Sequence, residues 1–524
     1  MASGTMISRM LGFVKAILLV EAIGQTKSIS ADAFSNGNFL PNALYMLLLG
    51  GMLNAVLVPQ IVKATKGKDG GAGYINKVLT LVIVVLSLVT LVAMLFAPSI
   101  VWVFAVTWPP EQLALATAFA YWCLPQIIFY GLYTVLGEVL NARERFGPFT
   151  WAPVLNNVIG IAGILAFIFV FGTDPNGYRT VEDWTQGAIA LLAGSGTLGV
   201  VVQSLILFVS WRRAGIRFRP DFKWRGMGIG QTMRIASWSL ATIVVMNLGG
   251  IVTTNVAASA SGEGPSSLAL QNAWLIFMLP HSVLAVSIGT AYFTSLATAG
   301  QLGDKARYRR DFSSSARLIT LVMLFAAAAV FAAAPYVSRV MQPTAEVELV
   351  NQFSLVLRTY VIGLAAYSLL FVVQRAFYAL SDTRTPFLFT SGQIVLFALG
   401  SLACMGLPAS VRGAGVAFVF SLTTILQVLA ALWLLRRKIG RIDGFRLRAS
   451  FVRSIPAGVA AAGVGTALTS WVVSVNPDFG MLYAVVVACG TAGVVGVVYF
   501  VILRLLKSDE LSNLTNWVRV KLRR

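Results

Sequence analysis

The chain has 524 residues, of which 57% are hydrophobic and 11% charged, with a mean hydropathy of +0.79. Soluble domains carry about a quarter charged residues, so this composition excludes an ordinary soluble fold and calls for lipid as the solvent. A net charge of +20 would suggest nucleic acid as a partner in a soluble protein; here the positions of the charges decide what it means.

A spanning helix needs about 20 mostly apolar residues. The sequence predicts about fourteen such spans, at 5–24, 32–62, 77–104, 112–141, 149–172, 186–211, 229–257, 267–299, 314–338, 350–378, 386–406, 412–435, 451–474 and 481–506. The expected fold class is all-α integral membrane, with nothing left over for a soluble domain. Loops after the even-numbered spans hold Lys63, Lys66 and Lys68; Arg212, Arg213, Arg217 and Arg219; Arg307, Arg309 and Arg310; and Arg436, Arg437 and Lys438. Loops after the odd spans hold little beyond Lys27, Arg179, Arg339 and Arg412, and they collect Asp174, Glu182, Asp183, Glu263, Glu346 and Glu348. This positive-inside bias places both termini in the cytoplasm, and the expected location is the plasma (inner) membrane. Anionic headgroups facing the basic loops account for the net charge, and no nucleic-acid partner is expected. Lys15 and Glu21 interrupt the first apolar run and no small-x-small cleavage site follows, so it reads as a retained span rather than a signal peptide. Cys123, Cys404 and Cys489 fall inside spans without CxxC spacing, and neither a disulfide, a metal site nor a cofactor is read from them.

A faint internal repeat organises the spans. Leu40-Pro41-Asn42 is echoed by Leu279-Pro280-His281, an offset of 239, and the stretch from Asn141 to Phe149 by that from Tyr378 to Phe387, where Pro386 minus Pro148 is 238. The expected organisation is an N-lobe over 1–213 with spans 1–6, a C-lobe over 214–440 with spans 7–12, and spans 13–14 with a basic tail over 441–524. With six spans before the seventh, both halves keep one orientation. Such parallel repeats, related by an axis along the membrane normal, belong to alternating-access transporters.

Charges within spans are the informative residues, because each costs about 2.5–3.5 kcal/mol at a helix centre. Span 1 carries Arg9, Lys15 and Glu21 at steps of six, which do not share one helix face. Arg9 and Lys15 either snorkel to headgroups or form an anion site for phosphate, Arg as a planar fork and Lys as a point charge. Asp32 stands at the start of span 2, where capping and function both explain an acid. Asn42 and Asn54 in the same span suit interhelical bonding or substrate contact. His281, the only histidine, is a weak proton-relay candidate. Glu138 and Arg375 are 237 apart, in register in the repeat; they either snorkel separately or meet as an inner gate.

Ser8-Arg9-Met10-Leu11-Gly12-Phe13-Val14-Lys15, Asp32-Ala33-Phe34, Leu40-Pro41-Asn42 and Val58-Pro59 resemble the opening signature of the MurJ/MviN lipid II flippases of the MOP exporter superfamily. The resemblance extends over the whole chain through the span layout, with specific motifs in the first sixty residues and around Pro280 to Thr290. It implies that Arg9 matches a cavity arginine needed for flipping, that Lys15 matches a second cation usually found as arginine, and that Asp32 and Asn42 match further functional positions. Some members carry arginine where this chain has Tyr45, glutamate at Gly50, and arginine and glutamate at Leu275 and Met278. Arg9 and Lys15 are left as the main candidate phosphate ligands.

The function implied is a non-enzymatic lipid II flippase, moving a polyprenyl-pyrophosphate-linked precursor to the outer leaflet by alternating access. The expected partners are lipid II, membrane lipids and cell-wall synthesis proteins. Alternatives are another MOP-type exporter, either an oligosaccharide-lipid flippase or a drug/cation antiporter, and a non-transporting cell-wall scaffold. A membrane glycosyltransferase would want an acidic metal-binding cluster such as DxD, which the sequence lacks.

Overall fold

The computed structural model describes residues 2–47, 71–213, 218–223, 229–440, 443–476, 479–508 and 510–511. Its helices, in chain order, are α1 (Ala2–Ile23), α2 (Ile29–Tyr45), α3 (Ala72–Leu95), α4 (Ala97–Phe104), α5 (Pro110–Cys123), α6 (Gln126–Ala142), α7 (Phe146–Phe171), α8 (Gln186–Arg213), α9 (Ile229–Ala258) and α10 (Ser267–Pro280). A π-helical turn, His281–Ala285, leads into α11 (Val286–Gln301), α12 (Lys305–Met341), α13 (Val347–Val361), α14 (Leu364–Ala379), α15 (Arg384–Ala403), α16 (Ala409–Ile439), α17 (Gly444–Val475) and α18 (Met481–Leu505). Among the described residues the only β-type pairing is an isolated bridge, Thr26 to Pro265.

Twelve helical stretches among the described residues are long and apolar enough to cross a membrane, rather than fourteen. They coincide with predicted spans 3 to 14. Span 1 falls short because α1 carries Arg9, Lys15 and Glu21 within 22 residues. α2 is described over 17 residues, and the rest of its span, with Asn54 and the Lys63 to Lys68 cluster, lies outside the described residues. The largest boundary difference is at span 9, expected from 314 and found from Lys305. Asp304 caps that helix by accepting from the Arg307 backbone N–H at 3.0 Å. Its 37 residues reach about 55 Å, well beyond a hydrocarbon core of about 30 Å, so the basic first turns continue the helix outside the apolar run that the sequence marks.

By internal contacts the chain divides into two compact units, Met1–Leu268 and Ala269–Arg524. In the first, α1 packs on α7, α7 on α8, and α2 on α5. Small residues permit these approaches: a Cβ on Gly37 would stand 2.9 Å from the Ala120 nitrogen and from Phe119 Cβ. Phe119 and Phe167 pack on Trp184 at centroid distances of 5.0 and 5.6 Å. α9 joins this unit through polar stitches at its C-terminal end. Trp108 Nε1 donates to Ala258 O at 2.8 Å, Asn255 Nδ2 to Val103 O at 2.7 Å, and the Val106 N–H to Asn255 Oδ1 at 2.8 Å.

In the second unit α12 is the central helix, packed by α13, α14, α17 and α18. Its run of alanines from Ala326 to Ala334 lets neighbours approach closely, and a Cβ on Gly465 of α17 would stand 2.7 Å from Ala332 Cβ. Tyr499 of α18 donates its buried hydroxyl to Leu321 O at 2.9 Å. In a bilayer, where no water competes, such packing and satisfied hydroxyls supply the association.

Candidate substrate-binding site

In the first unit, α1 and α7 meet through glycines and one asparagine. Asn157 Nδ2 donates to Ser8 O at 2.7 Å, and a Cβ on Gly4 would stand 3.0 Å from Thr150 O. This seam fixes the two candidate cations of α1. Arg9, next to Ser8, is exposed. Lys15 is half-buried, lying in the notch left by Gly160 of α7: a Cβ there would stand 2.7 Å from Lys15 Cε and 2.8 Å from Nζ. Among the described residues Lys15 has no ion pair, so its ammonium is not spent on an internal carboxylate.

α2 carries two exposed amides. Asn42 is exposed, one residue after the helix-internal Pro41. Asn38, one turn earlier, is exposed too, and its Oδ1 accepts from the Cys123 thiol at 3.8 Å. Exposed amides at i and i+4 inside an apolar span mark a face turned to something polar rather than to hydrocarbon. The sequence reading passed over Asn38; its spacing to Asn42 was the available signal. Tyr45, where some relatives of the motif carry arginine, is buried and lies 2.7 Å through its hydroxyl from Thr134 Oγ1.

Asp32 lies elsewhere. It is wholly enclosed, with 0% exposure. The cap of α2 is Ser28, whose Oγ accepts from the Ala31 N–H at 3.1 Å. Asp32 instead accepts from the Leu268 N–H at 3.2 Å, in the first turn of α10, so it caps a helix other than its own. His281 is buried, with Nδ1 2.9 Å from Ser368 Oγ and Tyr367 and Phe371 edge-on at 4.9 and 5.7 Å. It is a satisfied core histidine at the start of the π turn.

Glu138 is half-buried on α6, one turn after Thr134, and has no ion pair among the described residues. Arg375 is half-buried on α14 of the second unit, its guanidinium 5.0 Å from the ring centroids of both Phe293 and Phe371. It too has no carboxylate partner among the described residues. No group of three or more metal-ligating side chains occurs among the described residues.

The model of the family described as lipid II flippase MurJ matches residues 20–487. A probable lipid II flippase MurJ of Haemophilus influenzae is 26% identical over 495 residues, covering 90% of this chain and 91% of that protein. A solved structure of a lipid II flippase MurJ in an inward closed conformation superimposes with a TM-score of 0.74 at 17% identity, covering 97% of this chain and 98% of that one. An inward-facing multidrug resistance MATE transporter of the MOP superfamily follows, with a TM-score of 0.66 at 16% identity over 83% of this chain and 96% of the other. The two structures share the fold, and the family match spans most of the sequence. This multi-pass membrane protein belongs to the lipid II flippase MurJ family.

Proposed function

We propose that the chain translocates lipid II from the inner to the outer leaflet of the plasma membrane as a carrier, with no chemical step of its own. The observation that carries this reading is the placement of two α1 cations inside an apolar span: Arg9 exposed, and Lys15 half-buried in the Gly160 notch with no ion pair among the described residues. The physical problem is a polar pyrophosphate headgroup that cannot cross hydrocarbon, on a polyprenyl tail that can stay in it. Arg9 offers a bidentate fork and Lys15 a point charge for the diphosphate, and Asn42 of α2 adds a neutral contact to the substrate. Asp32 would reach a substrate only if its enclosed end of the unit opened. Glu138 and Arg375 serve as the inner gate when the carrier faces outward. Basic loops lie on the cytoplasmic side with both termini. With the cytoplasm negative, moving two phosphate charges outward across 100 mV is favoured by about 4–5 kcal/mol.

Depletion of the protein followed by leaflet-specific labelling of lipid II tests the reading. Lipid II is expected to accumulate in the inner leaflet and to reappear outside when the chain is restored. Unchanged outer-leaflet labelling on depletion would leave the scaffold reading in its place.

A further inference from the structure

The stretch from Gln25 to Asn36 is polar and yet enclosed: Gln25, Thr26, Ser28, Ser30, Asp32, Ser35 and Asn36 all expose 3% or less of their surface. Burial of this kind requires partners, and several of these groups lack them. Asp32 Oδ2, Ser35 Oγ and both side-chain atoms of Asn36 are buried without a hydrogen bond among the described residues. Positions 32, 35 and 36 stand at i, i+3 and i+4, so they occupy one face of α2. Phe34 and Gly37, which pack against Phe119 and Ala120 of α5, lie on the other side.

The loop after α9 closes over the face bearing Asp32. Thr26 pairs with Pro265, Gln112 Nε2 donates to Ser261 Oγ at 2.8 Å, and the Leu268 N–H donates to Asp32 Oδ1. Ser266 and Ser267 arrive with this loop; the Ser266 hydroxyl reaches Asp32, and the Ser267 hydroxyl is buried without a hydrogen bond. No lysine or arginine among the described residues forms an ion pair with Asp32. A carboxylate sealed from water with no counter-charge is costly, and orphaned neutral oxygens beside it add to the cost.

We propose that Asp32, Ser35, Asn36, Ser266 and Ser267 form a binding site for a dehydrated monovalent cation enclosed within the first unit. One carboxylate supplies one negative charge and the other four residues supply neutral oxygens, the ligand type that hard cations take. Charge balance selects a monovalent ion, since a divalent one would leave a net positive charge in an apolar surround. A proton on Asp32 would cancel the charge and donate to at most one neighbouring oxygen, leaving others of the set unpartnered. Because Ser266 and Ser267 belong to the loop, the site is complete only while that loop lies on α2, and cation binding is therefore linked to this closed arrangement. This goes beyond the flippase reading and does not depend on it.

The test is equilibrium binding of radiolabelled sodium to the purified full chain in lipid nanodiscs at alkaline pH, with no lipid II present. Saturable binding of one ion per chain is expected, lost in Asp32→Asn and weakened about tenfold or more in Asn36→Ala and in Ser266→Ala. Asn36→Ala removes no side-chain hydrogen bond present among the described residues, so it keeps the test decisive if Asp32→Asn fails to fold. Absence of saturable binding, binding unchanged in Asn36→Ala and Ser266→Ala, or proton uptake at Asp32 that sodium does not compete would each overturn the proposal. Enclosed water alone would give the first of these results. Since the readout contains no lipid II, loss of the flippase reading would leave this result standing, and the reverse holds as well.

Discussion

The turn between α6 and α7 and the turn between α14 and α15 follow one backbone path and carry different charges. Glu144 and Ser381, 237 residues apart, both stand at φ 58°. The Glu144 N–H donates to Asn141 O at 3.0 Å and the Ser381 N–H to Tyr378 O at 2.9 Å; the Arg145 N–H donates to Leu140 O at 2.8 Å and the Asp382 N–H to Phe377 O at 3.0 Å. Every one of these pairs keeps the same offset. Each turn also braces the end of the next-but-one helix, by different chemistry: Arg145 donates to Arg213 O at 3.4 Å, whereas Asp382 pairs with Lys438. The repeat has held the backbone while side chains diverged.

The same divergence separates the two halves deeper in. An offset of 238, taken from the proline landmarks, puts Asn247 and Thr253 of α9 where Arg9 and Lys15 stand in α1 (9 + 238 = 247; 15 + 238 = 253). The second unit carries aromatic rings on α10 and α16, Trp274 and Phe277 stacked at 4.9 Å and both meeting Phe420. The two cations of α1 therefore have no charged counterpart at the matched positions of α9. The largest expected effect follows: Arg9→Ala abolishes lipid II translocation while the protein still inserts and folds, and Arg9→Lys is poor because the planar fork is lost. Full complementation of growth by Arg9→Ala would place the phosphate site elsewhere.

Next in size is the notch that holds Lys15. Lys15→Glu should fail to support growth and Lys15→Arg should succeed, since the charge is kept. Gly160→Ala puts a methyl 2.7 Å from Lys15 Cε, and the flexible end of the lysine must move aside. A fall in translocation of about tenfold, with the amount of inserted protein unchanged, is expected in the leaflet-labelling assay. A normal rate in Gly160→Ala would assign Lys15 to headgroup snorkelling.

The comparison also bears on Glu138 and Arg375, matched positions of opposite sign that each lack an ion-pair partner among the described residues. As an inner gate, a partly desolvated pair would bias the two states of a carrier by about 1–2 kcal/mol. Reversing either charge alone should slow translocation, and Glu138→Arg with Arg375→Glu should restore it. Equal defects in the single and double reversals would show that the two residues act separately.

Twelve spans were legible because long apolar runs leave the bilayer few alternatives, and the turn repeat was legible through its prolines. Arg9 and Lys15 were visible as charges in an apolar run. The notch at Gly160 was not, since nothing in a sequence says which glycine of α7 faces which side chain of α1. Asp32 was read as a cap or a functional group. It caps α10, more than 230 residues away in the chain (268 − 32 = 236), a pairing that local propensity cannot encode. Asn38 was passed over because a single asparagine beside many apolar residues carries little weight until its neighbour one turn on is seen to share its exposure.

The smallest effect expected is at the braces themselves, where the two turns can be set against each other. Burial works against the Asp382 carboxylate, but the Lys438 ammonium and the Thr385 N–H and hydroxyl outweigh it and hold the group below the ordinary aspartate range. A carboxylate lowered in the folded state stabilises fully above its unfolded pKa, about 3.9, and that contribution is lost as the pH falls through the folded value. The brace is therefore constant across neutral pH and weakens only in acid. Lys438 is 40% exposed at its side chain, so removing it should cost little, about 0.5–1 kcal/mol. Lys438→Met should lower the melting temperature slightly and complete the acid loss at a higher pH, because the Thr385 donors alone hold Asp382 less firmly. Asp382→Ala should cost about 1 kcal/mol or more, since the cap on α15 goes with the ion pair. The matching change in the first unit, Arg145→Met, removes one long hydrogen bond to a carbonyl and no titrating group. Its melting temperature should follow the parent at every acid pH, and an acid-sensitive Arg145→Met would show that the two braces share more than a backbone.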